Sequence, residues 1–138
     1  MKLIGIDTGT HTGVAIYETI SKRIERLETL PIHKAMALVL ATALDNPNDT
    51  HVYFEDARLR KWFGRSGREQ LQGAGSVKRD CAIWEEYLTD YKIPFTPIAP
   101  KNNTTKLTAD YFAKVTGWTA RTSEHARDAA MLVFGRRY

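Results

Sequence analysis

Short apolar runs and helical apolar repeats alternate along this 138-residue chain. Residues 2–7, Lys-Leu-Ile-Gly-Ile-Asp, form a compact apolar run, and Gly9 to Gly13 is turn material. Val14 to Tyr17 predicts a second strand, paired to the first as a hairpin. In 22–29, Ile24 and Leu27 stand among charges, which fits either a third strand or a short helix. Beyond Pro31, the Ala-, Leu- and Met-rich stretch His33 to Leu44 predicts a helix. Asp45-Asn-Pro-Asn-Asp reads as a loop, and the β-branched and aromatic residues of His51 to Glu55 predict a strand. Residues 57–75 read as a glycine-rich basic loop with a short helical piece. Ser76 is the expected cap of the next helix, whose apolar face is Val77, Cys81, Trp84, Leu88 and Tyr91 at alternating spacings of four and three. Pro94 to Ile98 predicts a strand. Asn103 or Thr104 is the expected cap of a helix carrying Leu107, Tyr111, Phe112 and Val115 and closed by Gly117. A last helix is expected from Ser123 to Phe134. This order predicts one α/β domain over residues 1–138, a mixed sheet with helices packed on its faces.

Composition narrows the partner. Twenty basic against 16 acidic residues leave a net charge of +4, which suits an anionic partner, nucleic acid first among them. The single Cys81 excludes an internal disulfide framework and a cysteine-rich zinc site, and fits a reducing compartment. No stretch approaches the roughly 18 apolar residues that span a bilayer, and the first residues lack a secretory pattern. A cytoplasmic location and no membrane partner are the expectation.

Three acids then stand out. Asp7 closes the first strand, Glu55 closes the strand at 51–55, and Asp128 follows His125 by three on the last helix. An acid at a strand end is often only a turn former or a solvated side chain. Alternation puts Asp7 on one face with Leu3 and Gly5, and Glu55 with Tyr53, while Phe54 and Asp56 point the other way. Glu55 and Asp56 therefore do not share one ion. His125 and Asp128 project from one helical face about a turn apart, and Glu124 reads as a capping or solvated acid. Their agreement carries the weight: carboxylates from separate elements suit a hard divalent cation such as magnesium. Two such ions activate a water and stabilise a leaving oxygen in phosphodiester hydrolysis. For His125, metal ligation and proton transfer both remain open.

His11, His33 and His51 lack ligand spacing, and Cys81 lies on an apolar helical face as a packing residue. The segment 58–68 carries Arg58, Arg60, Lys61, Arg65 and Arg68 with Trp62 and Phe63. Basic residues neutralise phosphates and aromatics stack on unpaired bases; the plain alternative is a solvated loop. Lys78, Arg79, Lys101, Lys106, Arg121, Arg127, Arg136 and Arg137 extend the candidate phosphate track.

Gly5-Ile6-Asp7-Thr8-Gly9-Thr10 with Thr12-Gly13-Val14-Ala15, then Phe54-Glu55, then His125-Ala126-Arg127-Asp128-Ala129-Ala130 resembles, in order, the motifs of the RuvC-type Holliday junction resolvases. The resemblance implies a ribonuclease H-like fold, a mixed five-stranded sheet with helices on both faces. It implies a homodimer and magnesium-dependent nicking of four-way DNA junctions at symmetric positions, with manganese able to substitute. Asp7, Glu55 and Asp128 would be metal ligands and His125 the fourth catalytic position and a candidate ligand, with Lys101 and Lys106 near the scissile phosphate. Thr8 stands where that family usually has Pro, and Asp56-Ala57-Arg58 replaces its usual Gln and Phe, which leaves junction stacking to Trp62 or Phe63. The chain is shorter than the usual bacterial form, as expected of a phage or divergent version.

The helix around 77–91 is the expected dimer contact, with its aromatics as core the plain alternative. Rival readings are a ribonuclease H-like nuclease for RNA–DNA hybrids, flaps or forks, and a DNA-binding module without catalysis. A kinase-like ATPase, which shares the opening Gly-Ile-Asp motif, needs two lobes, and 138 residues are too few.

Overall fold

A computed structural model describes residues 1–60 and 68–138, with side chains for 1–60 and 75–138. The first apolar run is strand β1 (Lys2–Asp7), and β2 (His11–Glu18) returns against it. The undecided third segment is strand β3 (Arg23–Pro31), antiparallel to β2. It lies at the edge of the sheet, where exposed Arg23, Glu25 and Arg26 discourage pairing with another chain. Helix α1 (Ile32–Asp45) leads to β4 (Thr50–Glu55), parallel to β1. Helix α2 (Arg68–Asp90) leads to β5 (Phe95–Ile98), parallel to β4. Helices α3 (Ala109–Thr116) and α4 (Glu124–Met131) complete the chain. The five strands lie in the order β3-β2-β1-β4-β5, so β1 is central and flanked by β2 and β4.

Both faces of this sheet are covered. Ile4, Ile6, Val52 and Phe54 point to one side and pack against Ala35 and Val39 of α1 and Cys81, Trp84 and Leu88 of α2. Leu3, Ala15 and Tyr53 point to the other, against Phe112 of α3 and Ala129 and Ala130 of α4. The alternation read from the sequence thus holds through Tyr53 and Phe54.

Four expectations need correction. Helix α2 begins at Arg68, eight residues before Ser76, which is exposed inside it. Gly73 and Gly75 look like loop residues, yet each costs a helix only about 1 kcal/mol, less than the α2 face gains by packing. The cap of α3 is Thr108, whose hydroxyl accepts from the Tyr111 amide at 3.2 Å; Asn103 and Thr104 lie ahead of the helix. Gly117 does close it, with φ 77°. Helix α4, expected from Ser123 to Phe134, has Ser123 as its cap and ends at Met131. Finally, Cys81, Trp84 and Leu88 of the helix expected at the dimer contact are core, fully buried against the sheet, while Ile83 on its outer side is 40% exposed. Among the described residues, no helix is long and apolar enough to cross a membrane.

Candidate active site

Asp7 and Glu55 end two adjacent parallel strands. Ile6 pairs with Phe54, so the two acids come next in register, roughly 5 Å apart across the sheet. Both lie on the face that α4 covers. Carboxyl ends of neighbouring parallel strands are where α/β folds place ligand chemistry.

Helix α4 comes close to that edge because two glycines let it. A Cβ on Gly5 would stand 2.0 Å from the Ala129 carbonyl oxygen, and one on Gly13 would stand 2.0 Å from that of His125. Any side chain at either position would push α4 off the sheet. With both absent, Nδ1 of His125 donates to Oδ2 of Asp7 at 2.8 Å. Asp128, one turn along, is 9% exposed, and its Oδ1 accepts from the Lys106 amide at 2.8 Å.

The connection between β5 and α3 closes the site. Nδ2 of Asn103 donates to Oε2 of Glu55 at 3.1 Å and to the Asp128 carbonyl oxygen at 3.2 Å. Asn103 thus ties β4 to α4, and its Oδ1 is buried without a partner among the described residues. Lys106 presents its amide from a left-handed backbone, φ 60°, which costs a non-glycine residue about 1–2 kcal/mol. Thr8 contributes as well: its hydroxyl donates to the Glu55 carbonyl oxygen at 3.3 Å, a bond that Pro there would not make. Thr12 steadies the turn by donating to the Gly9 carbonyl oxygen at 2.7 Å.

Electrostatics mark these acids as strained. Burial pushes Asp7 up to about 6, and Glu55 and Asp128 push in the same direction, while the His125 hydrogen bond opposes them. Burial also raises Glu55, opposed by Asn103 and reinforced by Asp128. Asp128 is raised by burial, against the Lys106 amide. Three carboxyl groups share a partly desolvated pocket, and their mutual repulsion is not cancelled by the donors around them.

That donor set fits a hard divalent cation: three carboxylates and the unpartnered Asn103 amide oxygen are all oxygen ligands. A ready-made cluster, as expected from the sequence, is not formed. Among the described residues, no three His, Cys, Asp or Glu side chains stand close enough to hold one ion. Each carboxylate is instead turned toward its own donor: His125, Asn103 or the Lys106 amide.

The expected basic track divides. Arg58, half-buried, is already engaged: its guanidinium bonds both carboxylate oxygens of Asp56 and also Glu85. Arg60 is exposed and close enough to lower the Glu55 carboxyl. Lys101 and Lys106 are exposed on the connection that supplies Asn103. Lys61, Trp62, Phe63 and Arg65, and the Arg68 side chain, lie outside the described residues. Asn103 is the participant that sequence reasoning missed; it was assigned to a helix cap, and no spacing signal links it to Glu55. Cys81 is packing, as expected, although its sulfur lies 3.5 Å from the Thr8 hydroxyl just behind the site.

No protein-family profile matches the chain, and no curated protein matches it in sequence. Among solved structures it is similar to T. thermophilus RuvC, determined in complex with a Holliday junction substrate. The two are 16% identical over 96% of this chain and 90% of that one, with a TM-score of 0.62. The likeness shows the fold: a mixed five-stranded α/β sheet of the ribonuclease H-like type, as the sequence led us to expect.

Proposed function

We propose that this chain is a divalent-metal-dependent endonuclease that nicks four-way DNA junctions. The observation that supports this most is the meeting of Asp7, Glu55 and Asp128. They arrive from two strand ends and a helix at one buried, mutually repelling pocket. A structural role would leave such acids paired with cations, as Asp56 is with Arg58.

Asp7, Glu55 and Asp128 would hold magnesium, with manganese as a substitute, and the buried, unpartnered Asn103 amide oxygen is a further candidate ligand. When bound, the metal supplies charge stabilisation and an acidified water. The chain's residues do the rest. Asn103 holds Glu55 against α4, and the Lys106 amide fixes Asp128. With His125 donating an Nδ1–H hydrogen bond to the Asp7 carboxylate, Nε2 is the free nitrogen of the neutral ring. Being 55% exposed, that ring can take a proton from an attacking water and release it to solvent. This favours proton transfer over metal ligation for His125.

Exposed Arg60, Lys101 and Lys106 beside the pocket suit a phosphate backbone. The junction preference draws support from the resemblance of the three motifs and from a fold shared with a junction-bound protein. A symmetric pair of cuts calls for a homodimer, whose two-fold axis matches that of a junction. The buried Cys81, Trp84 and Leu88 do not supply its interface, whereas the outer side of α2, with Ile83 40% exposed, is free to do so. The test is cleavage of a four-way junction in magnesium, beside a linear duplex and an RNA–DNA hybrid. Junction nicking that Asp7→Asn abolishes while binding persists is the expected result. Cutting of the hybrid alone would transfer the assignment to the related hybrid nucleases, and no cutting of any substrate would sink it.

A further inference from the structure

At the pole opposite the acids, a cavity of about 350 Å³ opens between the β2–β3 turn and the residues after α4. Tyr17, Lys22, Arg136, Arg137 and Tyr138 line it. Tyr17 is registered with Leu3 near the start of β1, so four residues of strand, roughly 13 Å, separate this cavity from Asp7. It is a separate place.

Three cations facing one cavity repel each other, and such an arrangement is normally relieved by carboxylates. Here, among the described residues, none of Lys22, Arg136 and Arg137 has an ion-pair partner. The cradle is also partly fixed in advance. Arg136 lies with its guanidinium 4.3 Å from the Tyr53 ring centroid, and its Nε donates to the Leu132 carbonyl oxygen at 3.0 Å. Gly135, with φ 75°, makes the turn that brings Arg136 and Arg137 back to the sheet end. Lys22 sits in a left-handed turn, φ 58°, at the opposite lip.

A second observation lies directly behind. His51, buried on β4, donates or accepts through Nε2 at Thr96, but its Nδ1 has no partner among the described residues. The Tyr138 ring, 67% exposed, stands over it at 5.1 Å between centroids. The wall thus combines forked and point-charge phosphate donors with an open aromatic face. Its volume falls within the range of small-ligand sites.

We propose that this cavity is a nucleotide site that takes a phosphate monoester attached to a planar base. The phosphate lies between Lys22, Arg136 and Arg137, and the base lies along Tyr138. The same chemistry arrives either as a free nucleoside monophosphate or as the 5′-phosphorylated end of a strand. The assignment does not depend on the nuclease reading, since no residue is shared with the candidate active site.

The test is calorimetric titration of the full chain, in chelator so that the acidic pocket takes no metal. The probes are inorganic phosphate, deoxyadenosine 5′-monophosphate, deoxyadenosine, and a short single-stranded DNA with and without a 5′-phosphate. Saturable binding of the monophosphate, stronger than that of phosphate or nucleoside, is expected. The double substitution Lys22→Gln with Arg137→Gln touches two exposed side chains, so the fold is retained. It should weaken binding roughly tenfold or more, as expected for two charge-assisted contacts, whereas Asp7→Asn should leave binding unchanged. A 5′-phosphate that tightens the oligonucleotide identifies a strand end as the source, and indifference to it identifies the free nucleotide. Failure of every phosphate-bearing probe to saturate, or equal binding with and without the two cations, would overturn the site.

Discussion

Glu55 and Asp56 are neighbours in sequence and opposites in chemistry. The pleat of β4 sends Glu55 to the α4 side and Asp56 to the α2 side. Asp56 is the more buried, 1% exposed, and burial alone would raise its carboxyl. Arg58 outweighs that: its amide and guanidinium hydrogen bonds and its charge hold Asp56 below the ordinary range. For Glu55, burial and the neighbouring Asp128 outweigh the neutral Asn103 amide and the charge of Arg60, and its carboxyl is held above the ordinary range. An acid whose oxygens are saturated by a cation is a fastener. One left beside two other acids is available for a cation that the chain does not itself provide.

The largest predicted effects separate these two roles. Glu55→Gln or Asp7→Asn should bring junction cleavage below detection while the protein melts no earlier than wild type. Asp56→Asn should do the reverse. It leaves Arg58 with Glu85 as its carboxylate partner and weakens three hydrogen bonds, so it should cost about 2 kcal/mol of stability in urea unfolding while the folded fraction still cuts. Equal loss of cutting per folded molecule in both would erase the distinction.

Next in size is the seat of α4. Gly13→Ala places a methyl group 2.0 Å from the His125 carbonyl oxygen, a backbone atom that cannot swing aside. Helix α4 must lift, carrying His125 and Asp128 from Asp7. Both stability and cleavage should fall, with several kcal/mol lost in unfolding, since backbone overlap exceeds the 1–3 kcal/mol of ordinary overpacking. Gly75→Ala, where a Cβ meets nothing within 4 Å, is the matched control and should be neutral or slightly stabilising.

The raised acids also set a pH dependence. Asp7 ionises near 3.8 when unfolded and at about 6 when folded. Between those values the folded chain holds more protons, so stability in chelator falls as pH rises from about 4 through 6 and is flat above. For Asp7 the loss is at most ~3 kcal/mol. Glu55 and Asp128 are raised too and add to it with the same sign. Asp7→Asn should flatten the slope, and unfolding followed from pH 4.5 to 7.5 reads it. Magnesium at pH 7.5 should restore stability to wild type more than to the variant, by mass action on the folded state.

These contrasts also show what the sequence could reveal. The strand-end acids, Gly5 on the Asp7 face and the helix bearing His125 and Asp128 were legible because strand and helix periods place them with no tertiary information; Gly13, which reads as turn material, lies inside β2. The start of α2 was not, because Gly73 and Gly75 carry a loop signal that packing overrides. Nor was the loss of Arg58 from the phosphate track, since a basic residue near other basic residues looks the same whether it faces solvent or Asp56. Asn103 was invisible for a related reason. Its partners lie 48 and 25 residues away, and an amide carries no charge or periodicity to announce them.

Asn103 supplies the smallest and most discriminating test. Asn103→Ala removes one hydrogen bond to the Glu55 carboxylate and one to the α4 backbone, and leaves all three acids in place. A bond to a charged group contributes about 1.5–3 kcal/mol, but solvent at this partly open edge replaces part of it, so a rate loss of roughly ten- to thirtyfold is expected. Asn103→Asp keeps the shape, reverses the donor, and adds a fourth negative charge beside Glu55. If Asn103 only steadies the loop, both variants should slow cutting equally at every magnesium concentration. If it sets the Glu55 carboxylate and offers its buried oxygen to the cation, the two should diverge. The Ala variant should need more magnesium for half-maximal cutting, and the Asp variant less magnesium but a metal-free protein that is less stable above pH 6.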